Sequence, residues 1–236
     1  MFYEPGKQKS GLPHNPFTAC VVPRPIGWIS TVSMDGVHNL APFAQFQNVT
    51  FEPPTVLFIA VGLPAKDTLK NARDTGEFVW NMATYELRDK VVGSAITYPP
   101  EVNEFEALDI DTLPSTMVKP LRVAKSPVHF ECRVRQTVDI PSSIPEGAAT
   151  IVIASVVGIH IADHALTKEG HLDIARLRPL ARLGYLDYTS VTDVFQVSPP
   201  VPTEGRWKPA QGLRADAAGL FHMPEIGEAP SQQKKP

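Results

Sequence analysis

The sequence predicts a mainly β protein, an all-β barrel with a few short helices, and three observations lead there. Apolar, β-branched and aromatic runs recur at strand length, separated by Gly, Pro and Asp-Gly turn residues. Helical periodicity is confined to brief windows after residue 66. No G-x-x-x-x-G-K-[ST], G-x-G-x-x-G or G-x-S-x-G segment is present, so nothing points to a phosphate loop, a dinucleotide fingerprint or a nucleophile elbow.

Residues 1–22 read as an extended arm leading into a short apolar strand, Ala19 to Val22. Pro23 to Asn48 is the stretch around which the rest is organised. Ile26, Trp28 and Ile29 suit a strand, and Asp35-Gly36 supplies the positive φ of a tight hairpin. Asn39 to Asn48 then mixes small residues, amides and aromatics without a single charge. Such a segment can bring backbone N–H groups to a flat polar ligand while aromatics cover its face. An ordinary hairpin with a buried loop uses the same residue types. Pro53-Pro54 breaks the chain, and Thr55 to Val61 is a buried strand.

Lys66 to Thr75 reads as a short helix, with Asp67 or Thr68 able to cap it and Gly76 to stop it. Glu77 to Met82 is strand-like. Thr84 to Ile96 is a second helix, capped by Thr84, with Leu87, Val91 and Ala95 on one face. Pro99-Pro100 ends it, and 101–126 is mixed, with a helical turn around Glu104–Leu108. Val128, Phe130, Cys132 and Val134 alternate with His129, Glu131, Arg133 and Arg135, the pattern of a half-buried strand with one wet face. Pro141 to Gly147 is loop, and Thr150 to Ile161 is a long buried strand with a bulge at Gly158. The folded domain spans 1–198. Seven of the 24 prolines fall in 199–236, which reads as an extended or disordered tail.

A net charge of −3 offers no field for nucleic acid. No apolar run approaches the roughly 18 residues of a membrane span. The N-terminus lacks an apolar signal core, and two cysteines make no disulfide framework, so a cytoplasmic location is expected. His160 and His164 have a helical metal spacing but fall at the end of a strand, where i and i+4 lie roughly 13 Å apart; no metal site is expected. Lys66-Asp67-Thr68 opens a helix directly after a buried strand. Free N–H groups, an ammonium and a hydroxyl there suit a phosphate monoester, and equally a plain capped helix.

PRPIGWIST, DG, NLAPFAQFQNVTFEPP and KDTLKNARDTGEFVWNMATYELR, followed by SPVHFECR, VVGIHI and RPLARLGYLDYT, resemble the flavin reductase-like, FMN-binding split-barrel family over residues 12–197. The resemblance implies a Greek-key split β-barrel, noncovalent FMN, and a homodimer with flavin at or near the subunit interface. It implies that Thr31 approaches the flavin or its ribityl chain. Asn39, Ala41, Pro42, Phe43, Gln45, Phe46 and Asn48 would line the isoalloxazine, largely through backbone groups. Lys66 and Thr68 would hold the phosphate with Asn71 close by, and Arg182 and Tyr185 would reach the cofactor of either subunit or serve the interface.

The implied activity is an NAD(P)H-dependent flavin reductase, passing hydride to flavin N5 and on to free flavin, oxygen or a partner monooxygenase. The alternative is a non-catalytic FMN electron carrier served by a protein donor. Members that feed monooxygenases often carry a late Gly-His pair, where this chain reads Arg182-Leu183-Gly184-Tyr185-Leu186. FMN is therefore better supported than oxidation of NADH or NADPH. Pyridoxamine-phosphate oxidases and haem-handling proteins share the barrel and mark a third reading.

Overall fold

The chain enters through one helical turn, α1 (Phe17–Cys20), and a two-residue strand, β1 (Arg24–Pro25). Two hairpin arms follow, β2 (Gly27–Val32) with β3 (His38–Phe43) and β4 (Phe46–Phe51) with β5 (Pro54–Val61). Helix α2 (Asp67–Thr75) leads to β6 (Glu77–Asn81). A 3-10 turn at Tyr85–Leu87 runs into α3 (Arg88–Gly93), then α4 (Glu104–Ala107) and the small pair β7 (Thr112–Leu113) and β8 (Arg122–Val123). The long hairpin β9 (Val128–Ile140) and β10 (Ala149–Ile161) is followed by α5 (Ile174–Leu177), β11 (Leu180–Gly184) and β12 (Asp187–Ser190).

The computed structural model describes residues 1–62, 66–197, 214–215 and 221–222. Met1–Val194 forms one compact unit and Phe195–Pro236 a second, in which β13 (Arg214–Ala215) pairs antiparallel with β14 (Phe221–His222). The tail expected at 199–236 otherwise lies outside the described residues.

Seven strands make one antiparallel sheet in the order β3-β2-β6-β9-β10-β5-β4. Four of them, β5, β6, β9 and β10, stand in the order β6-β9-β10-β5, which is a Greek key. The sheet's two edges, β3 and β4, are joined by only Ala44 and Gln45. So short a link brings the edges together, and the sheet curls into a barrel split at that seam. The uncharged segment singled out in the sequence is the seam itself.

Side chains alternate across a strand, so Trp28 and Ile29 face opposite sides of β2. Every residue of β2 is buried. On one side Ile29, Phe43, Phe46, Phe58, Phe78 and Trp80 share the barrel core. On the other, Trp28 packs with Ile26, Leu40, Leu87, Val91, Phe105, Val123 and Leu180. This second core is roofed by α3, α4 and the β7–β8 pair, which is the business of the mixed stretch 101–126.

That roof overturns half of the expected wet face on β9: Arg133 and Arg135 are exposed as expected, but the first two residues of that face are not. His129 and Glu131 are buried because the segment before β9 folds back over them. Other elements differ locally. Ala19 and Cys20 belong to α1 rather than a strand, with Asn15 Oδ1 accepting the Phe17 N–H and Ala19 seated against Gly184. A Cβ on Gly184 would lie 2.8 Å from the Ala19 Cα, so only glycine admits this approach. The helix expected over Thr84–Ile96 stops at Gly93, and Thr84 gives no side-chain cap. Ser94, not Ala95, is buried there, because Trp28 Nε1 donates to its Oγ at 2.9 Å. Helix α2 starts with Lys66 in the capping position and no side-chain cap, so neither Asp67 nor Thr68 serves as one; Gly76 ends it at φ +73°. In β10 the bulge at Val156/Gly158 is present, but Ile159 and Ile161 are exposed, since the strand outruns its cover.

Candidate functional site

The β2–β3 hairpin and α2 bring four predicted site residues into one buried cluster. Asn39 Nδ2 donates to Thr68 Oγ1 at 2.8 Å and lies 3.3 Å from Thr31 Oγ1. Asn71 Nδ2 donates to Thr31 Oγ1 at 3.2 Å. The geometry follows from the register: Thr31 faces Asn39 across the hairpin, and the threonine–asparagine pair on α2 sits one helical turn apart.

Both threonine oxygens act here as acceptors, so their hydroxyl hydrogens are uncommitted among the described residues. Above them, the first-turn N–H groups of α2 lack intrahelical partners, and no side chain caps them. Lys66 is exposed, makes no ion pair among the described residues, and holds its ammonium 5.9 Å from the Phe43 ring. Uncapped N–H groups, polarised hydroxyls and a cation at one corner fit an anion. Thr31 and Thr68 are too deeply buried to form the outer surface of that corner. An anion at that corner would meet Lys66 and the α2 backbone, while the threonines and asparagines hold α2 in place.

The seam lies at the other end of the same hairpin. Gly27 pairs with Phe43, four residues from Thr31, or roughly 13 Å along the strand. Phe43 and Phe46 turn their rings into the core. Phe46 stacks on Trp80 at 5.2 Å with planes 2° apart, and Phe43 packs on Phe58 at 4.9 Å. A Cβ on Gly27 would meet Phe46 at 3.0 Å, so the glycine lets that ring lie flat. What faces outward here is Pro42 and Gln45, both half-buried, and Asn48, which is exposed and accepts from Gln47 Nε2 at 2.6 Å, while half-buried Ala41 packs against the barrel core. The seam therefore offers backbone and amide groups to a ligand, with its two aromatics beneath them.

Arg182 and Tyr185 lie on the β11–β12 hairpin. Arg182 pairs with Arg24 of β1, donates to the Tyr185 carbonyl at 2.6 Å and covers the Tyr188 ring at 4.4 Å. Tyr185 adopts φ +46° and packs edge-on against His14.

Sequence reasoning missed the polar clasp under the roof. Glu131, wholly buried, accepts the N–H groups of Thr116, Met117 and Val118 and contacts His160 Nε2 at 2.5 Å. Burial opposes its charge, but the bonds from His160 and from the Thr116 and Met117 amides outweigh that and hold the carboxyl below its usual range. His129 Nε2 donates to the Val123 carbonyl at 2.9 Å, and burial pushes its pKa down to about 4. Asn81 bridges Trp28, Ser30 and Val123. The available signal was the 97–126 stretch itself, since an insertion of that size must cover something. Burial pushes the Cys132 thiol upward, which leaves it unreactive.

Residues 19–185 match the family described as "Flavin reductase like domain". A protein of Aquifex aeolicus is 39% identical over 70% of this chain and 82% of its own length. Among solved structures, nitrilotriacetate monooxygenase component B from Bacillus cereus superposes with a TM-score of 0.77 at 25% identity, covering 84% of this chain and 98% of that one. The 2-nitrobenzoate 2-nitroreductase of Pseudomonas fluorescens gives a TM-score of 0.70 at 26% identity, covering 80% and 92%.

Proposed function

The chain belongs to the flavin reductase-like family, and on that premise we propose that it is an FMN-dependent oxidoreductase using NADH or NADPH. The observation that carries the choice of FMN is the anion corner at the start of α2, set one strand length from an uncharged seam. Bound flavin supplies the hydride- and electron-transfer chemistry. Lys66 and the α2 amides would hold its phosphate. Thr31, Asn39, Thr68 and Asn71 fix the angle of α2 against β2, so that those amides stay aimed. Backbone and amide groups from Asn39 to Asn48 would orient the ring, and N–H donors near a ring that gains negative charge favour its reduced form. The residues of the chain need perform no covalent step.

Assembly as a homodimer is part of the same proposal. Among the described residues strand β4 pairs only with β5, and Gln47 to Phe51 are all exposed, including Val49 at 47% and Phe51 at 65%. An unpaired edge with apolar side chains next to the seam suits a second copy. The other edge is closed internally, since Glu104 accepts the Leu40 N–H of β3 at 3.0 Å. The likeness to a monooxygenase component supports a partner oxygenase as one electron acceptor, beside free flavin and oxygen. No described helix is long and apolar enough to cross a membrane, and we place the protein in the cytoplasm.

The test is a visible spectrum of the purified protein followed by anaerobic mixing with NADH and with NADPH. Rapid bleaching of bound flavin supports the reductase. Bound flavin that neither nucleotide reduces would favour an electron carrier served by a protein donor, and a colourless protein that takes up no FMN would sink both.

A further inference from the structure

We propose that the cleft between α3 and the β11–β12 hairpin is a second ligand site, which takes a planar aromatic carboxylate. The cleft has a volume of about 590 Å³ and is lined by Tyr85, Arg88, Val92, Leu180, Tyr188 and Ser190, among others. None of the candidate flavin residues lines it. Its floor is apolar, its walls carry two tyrosines, and its size falls in the range of small-molecule sites.

The charge is what makes it specific. Tyr85 gathers two guanidiniums, Arg178 at 3.9 Å and Arg88 at 4.4 Å from the ring centre. Cations on an aromatic face gain from the ring but still repel each other, and a nearby anion relieves that repulsion. The protein supplies little of one. Arg88 has Asp89 at 3.7 Å, a carboxylate that also lines the cleft and whose side chain is 86% exposed. Arg178 makes no ion pair among the described residues, and its Nε is buried without a partner. Its Nη2 lies 3.5 Å from Ser190 Oγ on the cleft wall.

Backbone strain holds this arrangement. Arg178 sits at φ +48° after α5, a conformation that disfavours any side chain but Gly. The Tyr85 N–H donates to the Arg178 carbonyl at 2.9 Å, which locks the arginine beside the ring. Of the two arginines Arg88 lines the cleft, and its Nη1 donates to the Tyr85 carbonyl at 2.9 Å. The rest of its guanidinium, beside an aromatic wall and over an apolar floor, selects a ligand with a flat ring and a carboxylate that accepts a charge-assisted N–H bond.

Titration of the flavin-loaded full chain with 2-naphthoate and with its neutral isostere 2-naphthamide, followed by calorimetry, tests this. Naphthoate should bind one per chain and about tenfold or more tighter than the amide. Arg88→Gln should weaken naphthoate by about ten- to a hundredfold and leave the amide nearly unchanged. Val92→Trp, which fills the floor at a half-exposed helix position, should abolish both while the flavin spectrum stays that of the wild type. Equal binding of acid and amide, no saturation by the acid, or naphthoate binding untouched by both variants overturns the proposal. So does naphthoate competing directly with FMN, which would place it at the seam.

Discussion

The side-chain amide of Asn39 donates to Thr68 Oγ1 at 2.8 Å, and through this bond strand β3 fixes the first turn of α2. The same amide reaches Thr31, so one buried side chain ties two strands to a helix. Asn39→Ala takes the donor from the buried Thr68 hydroxyl, while Thr31 keeps the one from Asn71, at about 1–3 kcal/mol. We expect urea unfolding to show that loss, and FMN affinity to fall more than riboflavin affinity because α2 loses its aim. Unchanged stability would mean that the cluster rearranges freely.

Glu131 holds the roof over the second core. A glutamine there keeps one acceptor oxygen and turns an N–H₂ toward backbone donors that now need acceptors. Glu131→Gln should cost about 3 kcal/mol in urea unfolding. Limited proteolysis should open first within 114–123, the segment it grips. A variant as stable and as resistant as the wild type would show that the three amides find other partners.

His129 predicts a pH dependence. Burial lowers its pKa from 6.5 to about 4, and its Nδ1 is buried without a partner among the described residues. A group depressed on folding adds stability that is complete above its unfolded pKa and is lost as pH falls through the folded one. Stability should therefore decline between about pH 6.5 and pH 4, by about 3 kcal/mol at most. Glu131 is held below its usual range and contributes mostly beneath that window. His129→Gln keeps an N–H for the Val123 carbonyl and should flatten the slope; an undiminished slope would assign it elsewhere.

The barrel was legible because its signals are local. Asp35-Gly36 sets a hairpin, Thr55–Val61 can only be a buried strand of that length, and Gly76 ends a helix at positive φ. Thr31, Asn39, Thr68 and Asn71 were each named from the family's motifs, but their mutual hydrogen bonds were not foreseeable. Those depend on how α2 docks on β2, which no spacing encodes. The alternation in β9 held for Arg133 and Arg135 and misled at His129 and Glu131 for the same reason. Period-two polarity marks a wet face only if nothing covers it, and the stretch over 114–123 covers Glu131. The Phe46 ring goes inward where Gly27 leaves space and Trp80 stacks on it, and the Phe43 ring packs inward on Phe58.

Lys66 is the sharpest test of the cofactor. It stands at the capping position of α2 with its ammonium free of ion pairs among the described residues, where the helix already favours an anion. A charge-assisted contact with a phosphate is worth roughly 1.5–3 kcal/mol. Each 1.4 kcal/mol is about tenfold in affinity, so Lys66→Ala should weaken FMN by about ten- to a hundredfold. Riboflavin has the same ring and ribityl chain without the phosphate, and its affinity should hardly change. Wild-type protein should prefer FMN to riboflavin, and added salt should narrow the gap, because the lysine is exposed and screened. General damage to the fold would weaken both ligands together. Fluorescence quenching of each flavin by the apoprotein reads the difference directly: equal losses in the variant would mean that Lys66 does not touch the phosphate.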